Sequence, residues 1–258
     1  MARIDLAGVS LNYELSGKVG APALMLSSSL GTNLSMWTPQ LACFEEHFRV
    51  LRYDMRGHGA SSVPIGPYSI DQFGCDVLGL LDALELEKVN FCGLSIGGAI
   101  GQWLGIHAGS RLHSLVLCNT AARLGSTEIW NQRIADVTDR GMQSIADKVI
   151  GRWFTPAFME LESGLVAQMR HNLLASSQAG YVASCFALRD MDLRDAVSTI
   201  KNRTCVIAGA YDPVTTLVDA EFLVESIAGA QLVTLPASHI SNVEADKAFT
   251  ETVVGFLS

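Results

Sequence analysis

No two of the six cysteines, Cys43, Cys75, Cys92, Cys118, Cys185 and Cys205, stand in C-x-x-C spacing, so a zinc knuckle or a dithiol redox pair is not written into them. Charge is scarce too. Only 17% of residues are Asp, Glu, Lys or Arg, below the ~25% usual in globular domains. Nowhere do eighteen apolar residues run together, which excludes a membrane-spanning helix. The segment Met1-Ala2-Arg3-Ile4-Asp5-Leu6 meets an acid at its fifth position and lacks the apolar h-region of a secretory signal. Cations are the minority charge, 18 Lys and Arg against 26 Asp and Glu, for a formal net charge of −8. Such a field repels phosphate backbones, so no nucleic-acid partner is expected. An anionic substrate would need cations gathered locally. No internal repeat and no low-complexity segment is present.

What is there is apolar and long enough to fold. The chain has 258 residues, 49% of them hydrophobic, and a mean hydropathy of +0.28. That suits one large α/β domain, or one domain carrying an insertion. Cys92, Cys118 and Cys205 fall in β-branched, apolar runs and read as reduced thiols packed as small hydrophobes. A cytoplasmic location is the default expectation, with no membrane partner. Nothing in the sequence sets an oligomeric state.

The chain opens as a hairpin, Arg3–Leu6 and Val9–Leu15 around Ala7-Gly8. Short apolar runs follow at Pro22–Ser27, Phe48–Tyr53, Val89–Cys92, Leu112–Cys118, Thr204–Ala208 and Gln231–Leu235, each bounded by Gly, Asn, Asp or Ser as buried strands are. Helical periodicity marks Ile70–Leu84 behind Ser69, Ile96–His107 and Asn242–Phe256. Strands alternating with helices imply right-handed crossovers and a mostly parallel, eight-stranded sheet covered on both faces. The alternation fails between residues 122 and 195. There Glu128–Val137, Met142–Trp153, Ala157–His171 and Gly180–Leu188 are helical in character and no strand intervenes. The expected division is a core of residues 1–121 and 196–258 with a helical cap, 122–195, inserted into it.

Gly93-Leu94-Ser95-Ile96-Gly97 fits G-x-S-x-G directly between a strand and a helix. A nucleophile on so tight a turn needs small neighbours, and the helix start behind it offers unpaired N–H groups to a developing negative charge. The alternative is an ordinary serine on a glycine-rich turn; partners decide between them. A serine hydroxyl needs a base, and the base needs an acid to fix its tautomer. In α/β-hydrolases these follow in the order Ser, acid, His, each after a later strand. Asp212 follows the Thr204–Ala208 strand, 117 residues beyond Ser95, and His239 follows the Gln231–Leu235 strand after 27 more. The rival acid position, after the preceding strand, holds Asn119, which carries no charge. His47, His107, His113 and His171 fall in poorer contexts. For an oxyanion hole two backbone donors are expected. One is the N–H of Ile96; the other comes from the loop Ser28-Ser29-Leu30-Gly31-Thr32, where counting back from Trp37 favours Leu30. Asp54 and Arg56 read as loop-tying residues and His58 as exposed.

Several further segments raise the specificity of this picture. Ser29-Leu30-Gly31-Thr32 with Met36-Trp37, Asp54-Met55-Arg56-Gly57-His58-Gly59, and Gly93-Leu94-Ser95-Ile96-Gly97-Gly98 resemble the 3-oxoadipate enol-lactonases. So do Leu117-Cys118-Asn119-Thr120-Ala121-Ala122, Trp153-Phe154-Thr155-Pro156, Arg189-Asp190-Met191-Asp192-Leu193-Arg194 and Ser238-His239-Ile240-Ser241-Asn242. The likeness runs essentially end to end. The first motifs belong to the whole superfamily; those of the cap and strand exits discriminate. One departure is Ser28, where asparagine is common in the family. The resemblance implies the α/β-hydrolase fold and hydrolysis of 3-oxoadipate enol-lactone to 3-oxoadipate in the β-ketoadipate route of aromatic catabolism, through an acyl-enzyme and without metal or organic cofactor. Its rivals are a carboxylesterase with the same three residues and a hydrolase-fold receptor that turns ligand over slowly or never.

A lactone of that kind carries a carboxylate, so a cation should reach the pocket. Arg133 is the candidate, three residues after Trp130 and hence on one helix face with it, behind Thr127 as the helix cap. The alternative is that Arg133 pairs with Asp136 or near Glu128 on a wet surface while Trp130 only packs. Arg123, Arg140, Lys148, Arg152 and Arg170 are expected to be solvated, and Trp153 to be core.

Overall fold

A computed structural model describes residues 2–258. Eight strands form one sheet: β1 (Ala2–Leu6), β2 (Val9–Gly17), β3 (Ala23–Ser27), β4 (Arg49–Tyr53), β5 (Val89–Leu94), β6 (Leu112–Cys118), β7 (Arg203–Gly209) and β8 (Gln231–Leu235). Their order is β1-β2-β4-β3-β5-β6-β7-β8. The first two strands run antiparallel to their neighbours; every other pairing is parallel. Every residue of β3 and β5 is buried, as a sheet covered on both faces requires.

The helices are α1 (Thr38–His47), α2 (Ile70–Ala83), α3 (Ile96–His107), α4 (Thr127–Arg140), α5 (Ala146–Trp153), α6 (Pro156–Leu161), α7 (Ser163–Leu174), α8 (Gln178–Asp190), α9 (Leu217–Ser226), α10 (Ser241–Glu244) and α11 (Asp246–Leu257). Helix α2 starts at a reciprocal cap: Ser69 accepts from Gln72 N–H while the Gln72 side chain accepts from Ser69 N–H. The two bonds satisfy donors at the helix start reciprocally. Among the described residues no helix is long and apolar enough to cross a membrane.

Three boundaries differ from the sequence expectation. The helix carrying Trp130 and Arg133 is capped by Ser126, whose hydroxyl accepts from Ile129 N–H, and Thr127 is its first residue. The single helix expected over Asn242–Phe256 breaks at Ala245 (φ −122°, ψ 46°) into α10 and α11, in a region where the Glu244 carboxylate is held by groups outside the helix. The amphipathic run Ala157–His171 likewise breaks at Glu162.

Helices α4 to α8 all lie between β6 and β7. Where the chain leaves the sheet and where it returns are tied together, Leu193 N–H donating to Ala122 C=O at 2.8 Å.

Candidate active site

The chain passes from β3 to β4 on one side and then crosses to β5 on the other. Open α/β sheets bind ligands in the crevice at such a reversal, beyond the carboxyl ends of the strands. Ser27 of β3 lies in register with Gly93 of β5, so the loop after Ser27 and the turn after Leu94 face each other across that crevice. Ser95 occupies the turn with φ 60° and ψ −117°. This is a strained conformation for a residue with a side chain, and strain of this kind gathers at functional sites. Its backbone is held by three bonds: Ser95 N–H donates to Cys118 C=O at 2.9 Å, and Ser95 C=O accepts from the Thr120 hydroxyl at 2.8 Å and from Ala99 N–H at 3.0 Å. The flanking glycines are obligatory. A Cβ on Gly97 would strike the Ser27 carbonyl, and one on Gly93 the Gly97 carbonyl. Ile96 is the first residue of α3, so its N–H has no partner within the helix.

His239 and Asp212 reach the same crevice from the exits of β8 and β7. The His239 Nδ1–H donates to Asp212 Oδ2 at 2.8 Å, and both side chains are almost fully buried. Asp212 is unusually well served. Its Oδ1 accepts from the N–H groups of Val214 (2.7 Å) and Thr215 (3.1 Å), and its Oδ2 also accepts from the Thr215 hydroxyl (2.7 Å) and the Asn119 amide (2.9 Å). Burial pushes its pKa up, but the His239 charge and the hydrogen bonds from His239, Thr215 and Asn119 outweigh it and hold the carboxyl at about 2. An imidazole pinned at Nδ1 by a carboxylate presents Nε2 as a base.

Asn119, which has no charge to serve as the acid, is instead a donor to the acid. Its Oδ1 accepts from Ser241 at 2.5 Å, and its Nδ2 also reaches Ser238 C=O at 3.2 Å. Its place at the exit of β6, beside that of β7, is the sequence signal for this role. Thr215 carries none.

Ser29 and Leu30 line the cavity that holds Ser95 and His239. The neighbouring Gly31 N–H points elsewhere, to His58 Nε2 at 3.1 Å. His58, expected to be exposed, is 2% exposed; it packs beneath the Ser28–Thr32 loop. Arg56 and Asp54 do tie loops: Arg56 forms a two-bond pair with Asp76 at 2.6 Å each, and Asp54 accepts from Asn12, Leu34 N–H and Ala60 N–H.

The cavity, about 430 Å³ including the part open to solvent, is lined in part by residues of α4, α5 and α8. Leu124, Trp130, Val149, Trp153 and Leu188 are among its apolar lining, and Arg133, Arg152 and Tyr181 among its polar lining. The Arg133 guanidinium lies over the Trp130 ring, 5.2 Å from its centre, and Nη1 reaches the Tyr181 hydroxyl at 3.4 Å. Asp136, the partner considered for it, is engaged by Arg140 and Gln132. Among the described residues no carboxylate lies within ion-pair distance of Arg133 or Arg152. Arg152, expected in solvent, is half-buried at the pocket instead; burial, and then the like charge of Arg133, lower its pKa. Trp153 is buried as expected, yet also faces the cavity. Ser95, His239 and two guanidiniums that, among the described residues, have no carboxylate within ion-pair distance line one cavity, a lining that suits a small anionic acyl compound.

The end of α5 and the His239 loop are joined. Ser238 Oγ donates to Arg152 C=O (2.8 Å), and Ile240 N–H to Trp153 C=O (3.0 Å). Glu244 accepts from Ser238 N–H (2.7 Å) through one oxygen, and from the Thr155 N–H (3.1 Å) and hydroxyl through the other.

The alpha/beta hydrolase fold family matches residues 22–246. The chain is 47% identical to 3-oxoadipate enol-lactonase 2 of Acinetobacter baylyi, over 95% of this chain and 92% of that protein. To 3-oxoadipate enol-lactonase 1 of the same organism it is 38% identical, over 97% and 94%. The crystal structure of the enol-lactonase from Burkholderia xenovorans LB400 superposes with a TM-score of 0.98 at 46% identity, covering 99% of each chain.

Proposed function

The chain belongs to the alpha/beta hydrolase fold family, among the 3-oxoadipate enol-lactonases, and from that premise we propose that it hydrolyses 3-oxoadipate enol-lactone to 3-oxoadipate in the β-ketoadipate route of aromatic catabolism. Ser95 Oγ attacks the lactone carbonyl while His239 Nε2 takes its proton, and Asp212 stabilises the resulting imidazolium. The N–H groups of Leu30 and Ile96 receive the oxyanion. Collapse breaks the ring C–O bond and releases an enolate, a good leaving group because its charge is conjugated. The His239 imidazolium hands its proton to that enolate, which becomes the ketone. His239 then activates water, which cleaves the acyl-enzyme and returns Ser95. Residues 122–195 serve as a cap over a core of 1–121 and 196–258. Arg133, with Arg152 beside it, takes the free carboxylate, and Trp130 forms a flat wall for the ring.

The observation that carries this reading is the pairing, in one cavity, of Ser95 and the Asp212-bound His239 with two guanidiniums that, among the described residues, have no carboxylate within ion-pair distance. The test is a spectrophotometric assay on freshly generated enol-lactone beside a neutral aryl ester. Ser95→Ala abolishes turnover of both. Arg133→Ala lowers kcat/KM for the lactone about tenfold to a hundredfold, the range for one charge-assisted hydrogen bond, and leaves the neutral ester within a few fold. Equal losses on both substrates remove the carboxylate assignment. Good turnover of the aryl ester alone marks a carboxylesterase, and turnover of neither a ligand receptor.

A further inference from the structure

We propose that His58 is a positioning residue for the oxyanion-stabilising loop. By accepting the Gly31 N–H it turns that amide away from the cavity and leaves the adjacent Leu30 N–H to meet the carbonyl oxygen. The inference rests on the serine-hydrolase reading above and assigns a task to a motif, Asp54 to Gly59, that the chemistry does not otherwise use.

The ring has a partner at each nitrogen. His58 Nδ1 lies 3.1 Å from Arg56 C=O, which can only accept, so Nδ1 carries the hydrogen. Nε2 is then a lone pair, and it receives the Gly31 N–H at 3.1 Å. A neutral ring is what this arrangement requires, and burial lowers the His58 pKa in the same sense. The anchor itself is fixed. Arg56 is forked onto Asp76 and lies over the Tyr68 ring, 5.4 Å from its centre. Gly31 adopts φ +76°, and a side chain there would collide with Leu173 and Tyr181. The loop is pinned again three residues on, where Leu34 N–H donates to Asp54 Oδ1 at 2.7 Å. Between these pins and the Ser27 end of β3 the peptide plane before Leu30 has little room to rotate.

The test compares two amides in place of the imidazole. In His58→Asn the short side chain can still donate to Arg56 C=O, as Nδ1 does, but cannot reach Gly31. In His58→Gln the longer one can offer its oxygen to Gly31 N–H. For each variant kcat and KM on the lactone are measured, with the inhibition constant of a small boronic acid. Boron takes the Ser95 oxygen lone pair, the serine proton passes to His239, and a boron-bound oxygen sits in the oxyanion site. The Asn variant should lose about tenfold to a hundredfold in kcat and a similar factor in boronate affinity, with KM within about threefold, since a misplaced oxyanion donor acts on the tetrahedral state alone. The Gln variant should lose less, about twofold to tenfold, in both together. If the Asn variant does not fold, the Gln variant bears the test alone by the same parallel fall. Either folded variant with wild-type kcat, equal losses in the two, or a change in KM without a change in boronate affinity overturns the proposal. Failure of the underlying reading is separate: it shows as turnover persisting in Ser95→Ala.

Discussion

Replacing Asp212 by asparagine tests the electrostatics of the site by two independent readouts. The wild-type carboxyl is held at about 2 against an ordinary 3.8. At 1.4 kcal/mol per pKa unit the environment therefore favours the ionised form by about 2 kcal/mol. Its folded pKa lies below its unfolded one, so this stabilisation is complete above about pH 4 and is lost as pH falls towards 2. A neutral amide at the same position would contribute nothing of the kind. Its single oxygen can accept only part of what Val214, Thr215, Asn119 and His239 donate, and its amide hydrogens would face donors. Urea denaturation at pH 7 should therefore show Asp212→Asn less stable by about 2 to 3 kcal/mol, and the gap should shrink to near zero as pH is lowered to about 2. Catalysis should fall much further, by about four orders of magnitude in kcat, because an amide permits the wrong imidazole tautomer. A stability gap that does not change between pH 7 and pH 2 would refute the electrostatic account. A kcat within tenfold of wild type would refute the role given to the pair.

Gly97→Ala should cost about 2 to 4 kcal/mol, in the range of a steric fault with no room to relax, since the new methyl meets the Ser27 and Ser28 carbonyls at the β3–β5 junction; an unchanged melting temperature would show that the turn can open. Glu244→Ala should lower kcat about tenfold, because it frees Ser238 N–H beside His239 as well as Thr155. In a double-mutant cycle with Thr155→Val its effect should be non-additive by about 0.5 kcal/mol or more, and additive losses would mean that cap and base loop are not coupled through this carboxylate.

The strand exits are readable because a parallel sheet turns sequence order into spatial order. Ser95, Asn119, Asp212 and His239 each follow a strand, and β5, β6, β7 and β8 are neighbours in that sequence, so local punctuation after each apolar run points to one crevice. The G-x-S-x-G turn is legible too: its glycines answer to clashes with residues four and five away or with the exit of the adjacent strand. Helix α1 is not legible, because Thr38–His47 has only Gln40 and Phe44 buried, too thin a stripe for periodicity to register.

What cannot be read is what crosses between the sheet and the inserted helices. Arg152 looks like any surface cation on α5, and only the bond from Ser238, 86 residues away, fixes its backbone against the base loop. His58 looks like a loop histidine until Gly31 is seen to donate to it across 27 residues. Neither contact has a period, a cap box or a turn signature. The division has a consequence for specificity. In the proposed reading the nucleophile, acid and base are set by the sheet, whereas the proposed carboxylate-binding cations, Arg133 and Arg152, stand on α4 and α5, and the end of α5 is attached to the His239 loop through Ser238, Ile240 and Glu244. A change of residues on α4 to α8 that leaves those contacts intact should alter which ester is hydrolysed without altering how, while a change that breaks them should slow every substrate alike.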